Sequence, residues 1–189
     1  MKKIFKLCEA SVNEFKETKN MVLCALMLAL AIVLGYTTTF EIGPYIKVGF
    51  SGMPNRVVEY LFGPIIGGIF GGTSDVLKYM VRPTGPFFIG FTISEIVSGI
   101  IYGVLLYKKP IKIYRIALAG LLDKVIVNCG LNTLWLSILY GKGFLILLSA
   151  RIIKNVIMWP IDTIIIFMLF TYVVKIIKPS LTLYEGQKN

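Results

Sequence analysis

The stretch 63-GPIIGGIFGGTSD-75 places glycines at 63, 67, 68, 71 and 72 ahead of a hydroxyl pair and a carboxylate. A run of this kind is either a loop that cradles phosphate or the packing face of a helix in lipid, and the two readings lead to different folds. A P-loop needs Lys-Ser/Thr directly after its last glycine, and a dinucleotide fingerprint needs G-x-G-x-x-G. Neither pattern is present. The glycines instead recur four apart, at 63, 67 and 71 and again at 68 and 72. That spacing draws a smooth stripe along a helix, about 6 Å per step, of the kind that lets two backbones approach closely in a membrane. Gly71 and Gly72 are also expected to permit a tight cytoplasmic turn, after which Asp75 begins a further short helix.

The composition agrees with lipid as the solvent. Of 189 residues, 56% are hydrophobic and 16% charged, with a mean hydropathy of +0.78. Soluble domains are about 45–50% apolar and about 25% charged. The length suits one compact unit. Histidine is absent, which removes His-based triads, imidazole proton relays and most transition-metal sites, so neither a metal nor a cofactor is expected. Cys8, Cys24 and Cys129 have no C-x-x-C spacing and read as reduced packing residues. No nucleic-acid partner is expected.

Apolar runs occupy 21–40, 57–72, 73–81, 88–107, 116–140 and 144–174. A span of about 20 apolar residues crosses a bilayer core, so the chain is predicted to be an all-α integral membrane protein, a bundle of six transmembrane helices of which the second and third are short. The membrane domain then covers 21–178. Residues 1–20 form a cytoplasmic amphipathic lead-in, read either as a membrane-surface or partner-docking helix or as a plain solvated segment, and 179–189 form a cytoplasmic tail. Lysine and arginine bias sets orientation. With both termini inside, the cytoplasmic flanks receive twelve of the twenty basic residues, among them Lys2, Lys3, Lys6, Lys108, Lys109 and Lys175.

The basic residues left outside are informative. Lys47, Arg56, Lys78, Arg82, Lys142, Arg151 and Lys154 fall at or near the outer side. Some can snorkel to headgroups, but the surplus works against the topological rule, and capture of an anionic ligand gives a reason to keep it. Ionisable groups inside spans are costly and are functional candidates by default; here they are Glu59, Asp75, Lys78, Glu95, Asp123, Lys124, Arg151, Lys154 and Asp162. Internal ion pairs account for part of this set. Arg151, Lys154 and Asn155 share a helical face suited to a carboxylate. In 132-NTLWLSILY-140, Asn132, Thr133, Trp135 and Tyr140 combine hydrogen-bonding groups with flat rings, though Trp and Tyr equally suit an interfacial belt.

Four stretches, 61-LFGPIIGGIFGGTSDVLKYMVRPTGPFFIGFT-92, 99-GIIYGVLLYKK-109, 132-NTLWLSILYGKGF-144 and 150-ARIIKNVIMWPID-162, resemble the substrate-binding (S) component of an energy-coupling factor (ECF) vitamin transporter, specifically the folate type. The resemblance implies a non-catalytic, multi-pass subunit of a bacterial plasma membrane. It would bind its vitamin near the outer face, within the six-helix fold of this type. The implied partners are folate, a membrane coupling protein and two cytoplasmic ATPases that hydrolyse the ATP. On that basis a pterin-like ring would stack on Tyr36, Trp135 or Tyr140. Its hydrogen-bonding edge would meet Asn132, Glu95 or Asp75, and its glutamate tail Arg82, Arg151, Lys154 and Asn155. Thr133 and Lys78 complete the candidate set. The loop 41–56 would act as a lid. Ala25 and Ala29, with Ala31 nearby, would form the small-residue face toward the coupling protein.

One position departs from the pattern. The folate type implies an arginine in the first span, and 30-LAIVLGY-36 has none. Either Arg82, Arg151 or Lys154 takes over the anionic tail, or the ligand is another vitamin or pterin-like compound. A stand-alone secondary carrier is the remaining alternative, although internal repeats expected of one are not evident.

Overall fold

The computed structural model describes residues 2–38, 40–42, 46–83 and 85–174. Helix α1 (Lys2–Glu14) leads into α2 (Thr18–Thr37). Asn20 Nδ2 donates to the Glu14 carbonyl at 2.6 Å and so caps the end of α1. The run of threonines stops α2: Thr37 Oγ1 donates to the Val33 carbonyl at 2.9 Å and Thr38 Oγ1 to Leu34 at 2.6 Å. Hydroxyls that bond back to the preceding turn in this way compete with helix propagation. A two-stranded antiparallel ribbon follows, β1 (Phe40–Ile42) and β2 (Ile46–Val48), with Glu41 opposite Lys47. Gly43 and Pro44 of the expected lid, and the tail 179–189, lie outside the described residues.

The glycine stretch lies in α3 (Met53–Val81), which is broken at Gly63, where φ is 83° and ψ −168°. Pro64 follows and has no N–H to continue a helix. The two arms, 53–62 and 64–81, run back on one another. Ser74 Oγ reaches Asn55 Oδ1 at 3.4 Å, whereas nineteen residues of unbroken helix would separate them by about 28 Å. The second and third spans are thus an antiparallel pair. The turn expected at Gly71 and Gly72 is at Gly63–Pro64 instead, because only there do a left-handed backbone and a missing donor coincide. Gly71 and Gly72 are buried within the second arm.

Four further elements complete the bundle. They are α4 (Ile89–Leu106), α5 (Ile113–Leu122) continued by a π-helix (Asp123–Leu131), α6 (Asn132–Tyr140), and α7 (Phe144–Leu169) with a terminal π-turn (Phe170–Val174). Four segments are long and apolar enough to cross a membrane: Thr18–Thr37, Ile89–Leu106, Ile113–Tyr140 and Phe144–Tyr172. With the two arms of α3 they give the six-helix bundle expected, although the arms 53–62 and 64–81 replace the expected short segments 57–72 and 73–81. Large apolar side chains such as Leu145, Ile153 and Val156 remain exposed along α7, as a lipid-facing surface requires.

The first arm sits at the centre. Its Val57 and Tyr60 join Tyr102, Ile116, Ala119, Ile166 and Phe170 from α4, α5 and the end of α7. Val58 and Phe62 pack with Cys24, Ile66 and Phe70 between α2 and the second arm. The second arm and α4 cross backbone on backbone. A Cβ on Gly99 would collide with the Gly67 carbonyl, and one on Gly71 would lie 2.6 Å from the Glu95 carbonyl. The stripe therefore functions as a close helix contact, as its spacing implied.

Helix α1 is a docked part of this bundle. The fully buried Ser11 hydroxyl donates to the Phe62 carbonyl and accepts the Ile66 N–H at 3.2 Å, bridging the Gly63–Pro64 break. Tyr107 at the end of α4 donates to Glu14 Oε1 at 2.8 Å, and Lys108 lies 3.5 Å from the same oxygen.

Candidate ligand-binding site

Eight chain segments line a cavity of about 440 Å³ toward the pole opposite the Gly63 turn. Ligand sites usually measure about 300–1,000 Å³. Helix α2 brings Tyr36, the segment after β2 brings Ser51, and the arms of α3 bring Arg56, Asp75, Lys78 and Arg82. Glu95 comes from α4, Asn128 from the π-helix, Asn132 and Tyr140 from α6, and Arg151 and Lys154 from the N-terminal half of α7. Five cations thus face two carboxylates in the wall, a balance that favours an anionic occupant.

Each group is held by its surroundings. Lys78 Nζ donates to the Ser51 carbonyl at 2.9 Å, which ties the segment after the ribbon to the second arm. Arg82 Nη1 donates to the Tyr36 carbonyl at 2.8 Å, and its guanidinium lies 5.8 Å from the Tyr36 ring. Asp75 Oδ2 accepts from Thr92 Oγ1 at 2.7 Å. Arg151 Nη1 donates to the Asn128 carbonyl at 3.0 Å. The Asn132 Oδ1 atom is buried without a hydrogen-bond partner, an acceptor that a ligand N–H would satisfy.

Nine of the twelve expected ligand residues line this one cavity: Tyr36, Asp75, Lys78, Arg82, Glu95, Asn132, Tyr140, Arg151 and Lys154. Three do not. Thr133 is fully buried and donates to the Asn128 carbonyl at 3.1 Å. Trp135 turns its indole N–H to Ser94 Oγ at 3.1 Å and packs 5.7 Å from the Phe88 ring. Asn155 is buried with its amide 3.3 Å from Cys129 Sγ. Each of the three spends its polar group on a neighbouring residue of the bundle rather than on the cavity. Of the segment 41–56 expected as a lid, residues from Met53 onward belong to α3, and among the described residues Gly49, Ser51, Gly52 and Arg56 line the cavity. On α2, Ala25 and Ala29 are exposed, but Ala31 is fully buried against the bundle and cannot belong to an outward face.

Two parts of the wall lay outside the twelve expected ligand residues, although Arg56 was counted among the outer cations. Phe87, Phe88 and Phe91 form an aromatic wall with Tyr79, whose ring lies 5.1 Å from Phe87. The Pro-Phe-Phe-x-x-Phe spacing after a glycine-proline turn was the available signal. Arg56 is the second. Its Nη1 meets both oxygens of Glu59, at 3.0 and 2.8 Å, its Nη2 donates to Ser98 Oγ at 3.0 Å, and its guanidinium lies 3.8 Å above the Tyr102 ring. The i,i+3 pairing with Glu59 marked it as an inward residue. The first span supplies no charge, and the cations come from α3 and α7.

Residues 19–170 match the family model described as ECF transporter, substrate-specific component. The chain belongs to that family. As an S component it is a transporter subunit and not an enzyme. It is 40% identical over 152 residues to the folate transporter FolT of Clostridium novyi, covering 80% of this chain and 88% of that protein. It is 31% identical to the folate transporter FolT of Leuconostoc mesenteroides, with 77% and 81% covered. Among solved structures, one described as FolT bound with folic acid superimposes with a TM-score of 0.75 at 33% identity, covering 81% of this chain and 93% of that one. Helix α1 lies outside the matched residues.

Proposed function

We propose that this S component captures folate and delivers it to an ATP-driven importer. The observation that carries the reading is the pairing, in one cavity, of an aromatic wall with a surplus of cations, in a chain 40% identical to a named folate transporter. Folate is a planar pterin joined through an aromatic ring to a dianionic glutamate, and these two halves need the two chemistries the wall offers. Tyr36, Tyr140 and the phenylalanines stack on the rings. Asn132, Glu95 and Asp75 meet the pterin edge, with the bare Asn132 Oδ1 taking an N–H. Arg151, Lys154, Arg82 and Lys78 neutralise the glutamate, which removes the need for an arginine in the first span. Thr133, Trp135 and Asn155 support the wall from behind.

The cavity pole faces outward and both termini face the cytoplasm of a bacterial cell, in keeping with the basic residues on the α4–α5 connection and α1. Import draws on a membrane coupling protein, met by the exposed Ala25–Ala29 face of α2, and on two ATPases.

Titration of the purified protein with folate, read by tryptophan fluorescence or calorimetry, tests the ligand. Saturable binding at nanomolar to micromolar folate, not displaced by riboflavin, thiamine or biotin, is expected. Binding of one of these in place of folate would refute the assignment. Folate uptake into liposomes without ATPase subunits would refute the division of labour.

A further inference from the structure

The π-helix Asp123–Leu131 interrupts an otherwise α-helical span at the cavity wall. π-Segments are rare and concentrate at functional sites, and the cause of this one is visible in its side chains. Asp123 is buried. Its Oδ1 accepts from Ser98 Oγ at 2.5 Å and its Oδ2 from Asn128 Nδ2 at 3.1 Å. Residues five apart point about 140° away from each other on an α-helix but come back into register across one π-turn. The Asp123–Asn128 bond is therefore a side-chain tie that the π form permits and the α form breaks. A second tie of the same separation runs from Thr133 Oγ1 to the Asn128 carbonyl.

That carbonyl is the link to the site. It also accepts from Arg151 Nη1 at 3.0 Å, across to α7. On the opposite side Ser98 accepts from Arg56 Nη2 at 3.0 Å. A continuous path thus runs from Arg56 through Ser98, Asp123 and Asn128 to Arg151, with Asp123 as its one carboxylate between two cationic walls.

We propose that Asp123 is a positioning residue for ligand binding: it holds 123–131 in the π form, and that form presents the Asn128 carbonyl that aims the Arg151 guanidinium into the cavity. Asp123 touches no ligand itself. This rests on the folate reading, in which Arg151 meets the glutamate.

A double-mutant cycle separates positioning from plain stability. The probes are folate and pteroate, which lacks the glutamate. Asp123→Ala lowers folate affinity about tenfold and pteroate affinity less than about threefold, and in an Arg151→Ala background it costs less than about twofold for folate, because coupled residues are non-additive. Asp123→Asn keeps one acceptor and gives an intermediate loss. It carries the same cycle if the alanine variant does not fold. A merely structural Asp123 would instead weaken both ligands equally and multiply its loss with that of Arg151→Ala, and that result overturns the proposal. Absence of folate binding by the unmodified protein would overturn the functional reading and this inference with it. Folate binding with multiplying losses overturns this inference alone.

Discussion

Replacing Ser11 by alanine removes one hydroxyl and strands two backbone groups. The Phe62 carbonyl and the Ile66 N–H, on either side of the Gly63–Pro64 break, both rely on Ser11 Oγ. Ser11 is fully buried, so water does not stand in readily. A buried backbone group left unpaired costs about 1–3 kcal/mol, and the two together roughly 2–5 kcal/mol. For a chain of this size each kcal/mol moves the midpoint of thermal unfolding by about 2–4 °C. Ser11→Ala is therefore expected to lower it by roughly 5–15 °C for the ligand-free protein in detergent. Ser11→Thr, which keeps the hydroxyl, should lose much less. The experiment asks whether a helix outside the family match is integral to the fold. A fall of less than about 2 °C for Ser11→Ala would show that the turn rearranges or hydrates at little cost and that α1 does not secure it.

Four other outcomes follow from the geometry. Ala25→Trp fills the exposed small-residue face of α2 without approaching the cavity, so folate affinity of the isolated subunit stays unchanged while ATP-driven uptake by the assembled importer falls severalfold; unchanged uptake would remove Ala25 from the coupling face. Gly99→Val forces a side chain onto the Gly67 carbonyl and costs at least about 1–3 kcal/mol, seen as aggregation on size-exclusion chromatography. Gly143→Ala, whose Cβ meets only Ile146 at ordinary distance, stays within about 0.5 kcal/mol of the parent. Lys124 and Asp162 lie 2.6 Å apart and are both largely buried. Lys124→Ala alone is expected to cost about 3–5 kcal/mol, and removing both charges less than that, measured by thermal unfolding.

Four of the six helices were legible because length and apolarity alone mark a span in lipid, and the apolar, glycine-rich run between the first and second of them marked the short pair. The position of the hairpin turn was less so. Five glycines are equivalent on spacing, and what singles out Gly63 is the proline beside it and the Tyr107 ring 2.8 Å from where its Cβ would stand, a contact between residues 44 apart in sequence. The candidate site shows the same division. Charges in spans announced themselves through their cost, and most of those at the outer pole converge. Asn155, Thr133 and Trp135 had the right chemistry, but each bonds to a neighbour in the bundle that spacing does not reveal. The π-segment was not legible at all, since the buried ties of Asp123 to Asn128 and to Ser98 on α4 appear only in the packed bundle.

The docking of α1 also orders assembly in time. Its partners arrive late: Phe62 and Ile66 lie 51 and 55 residues beyond Ser11, and Tyr107 lies 93 beyond Glu14. At synthesis rates of about 5–20 residues per second, the last of these emerges roughly 5–20 s after the helix itself. Helix α1 is thus made well before the residues that hold it in place. Its closure over the hairpin turn marks a subunit whose third and fourth spans have already inserted in the correct register.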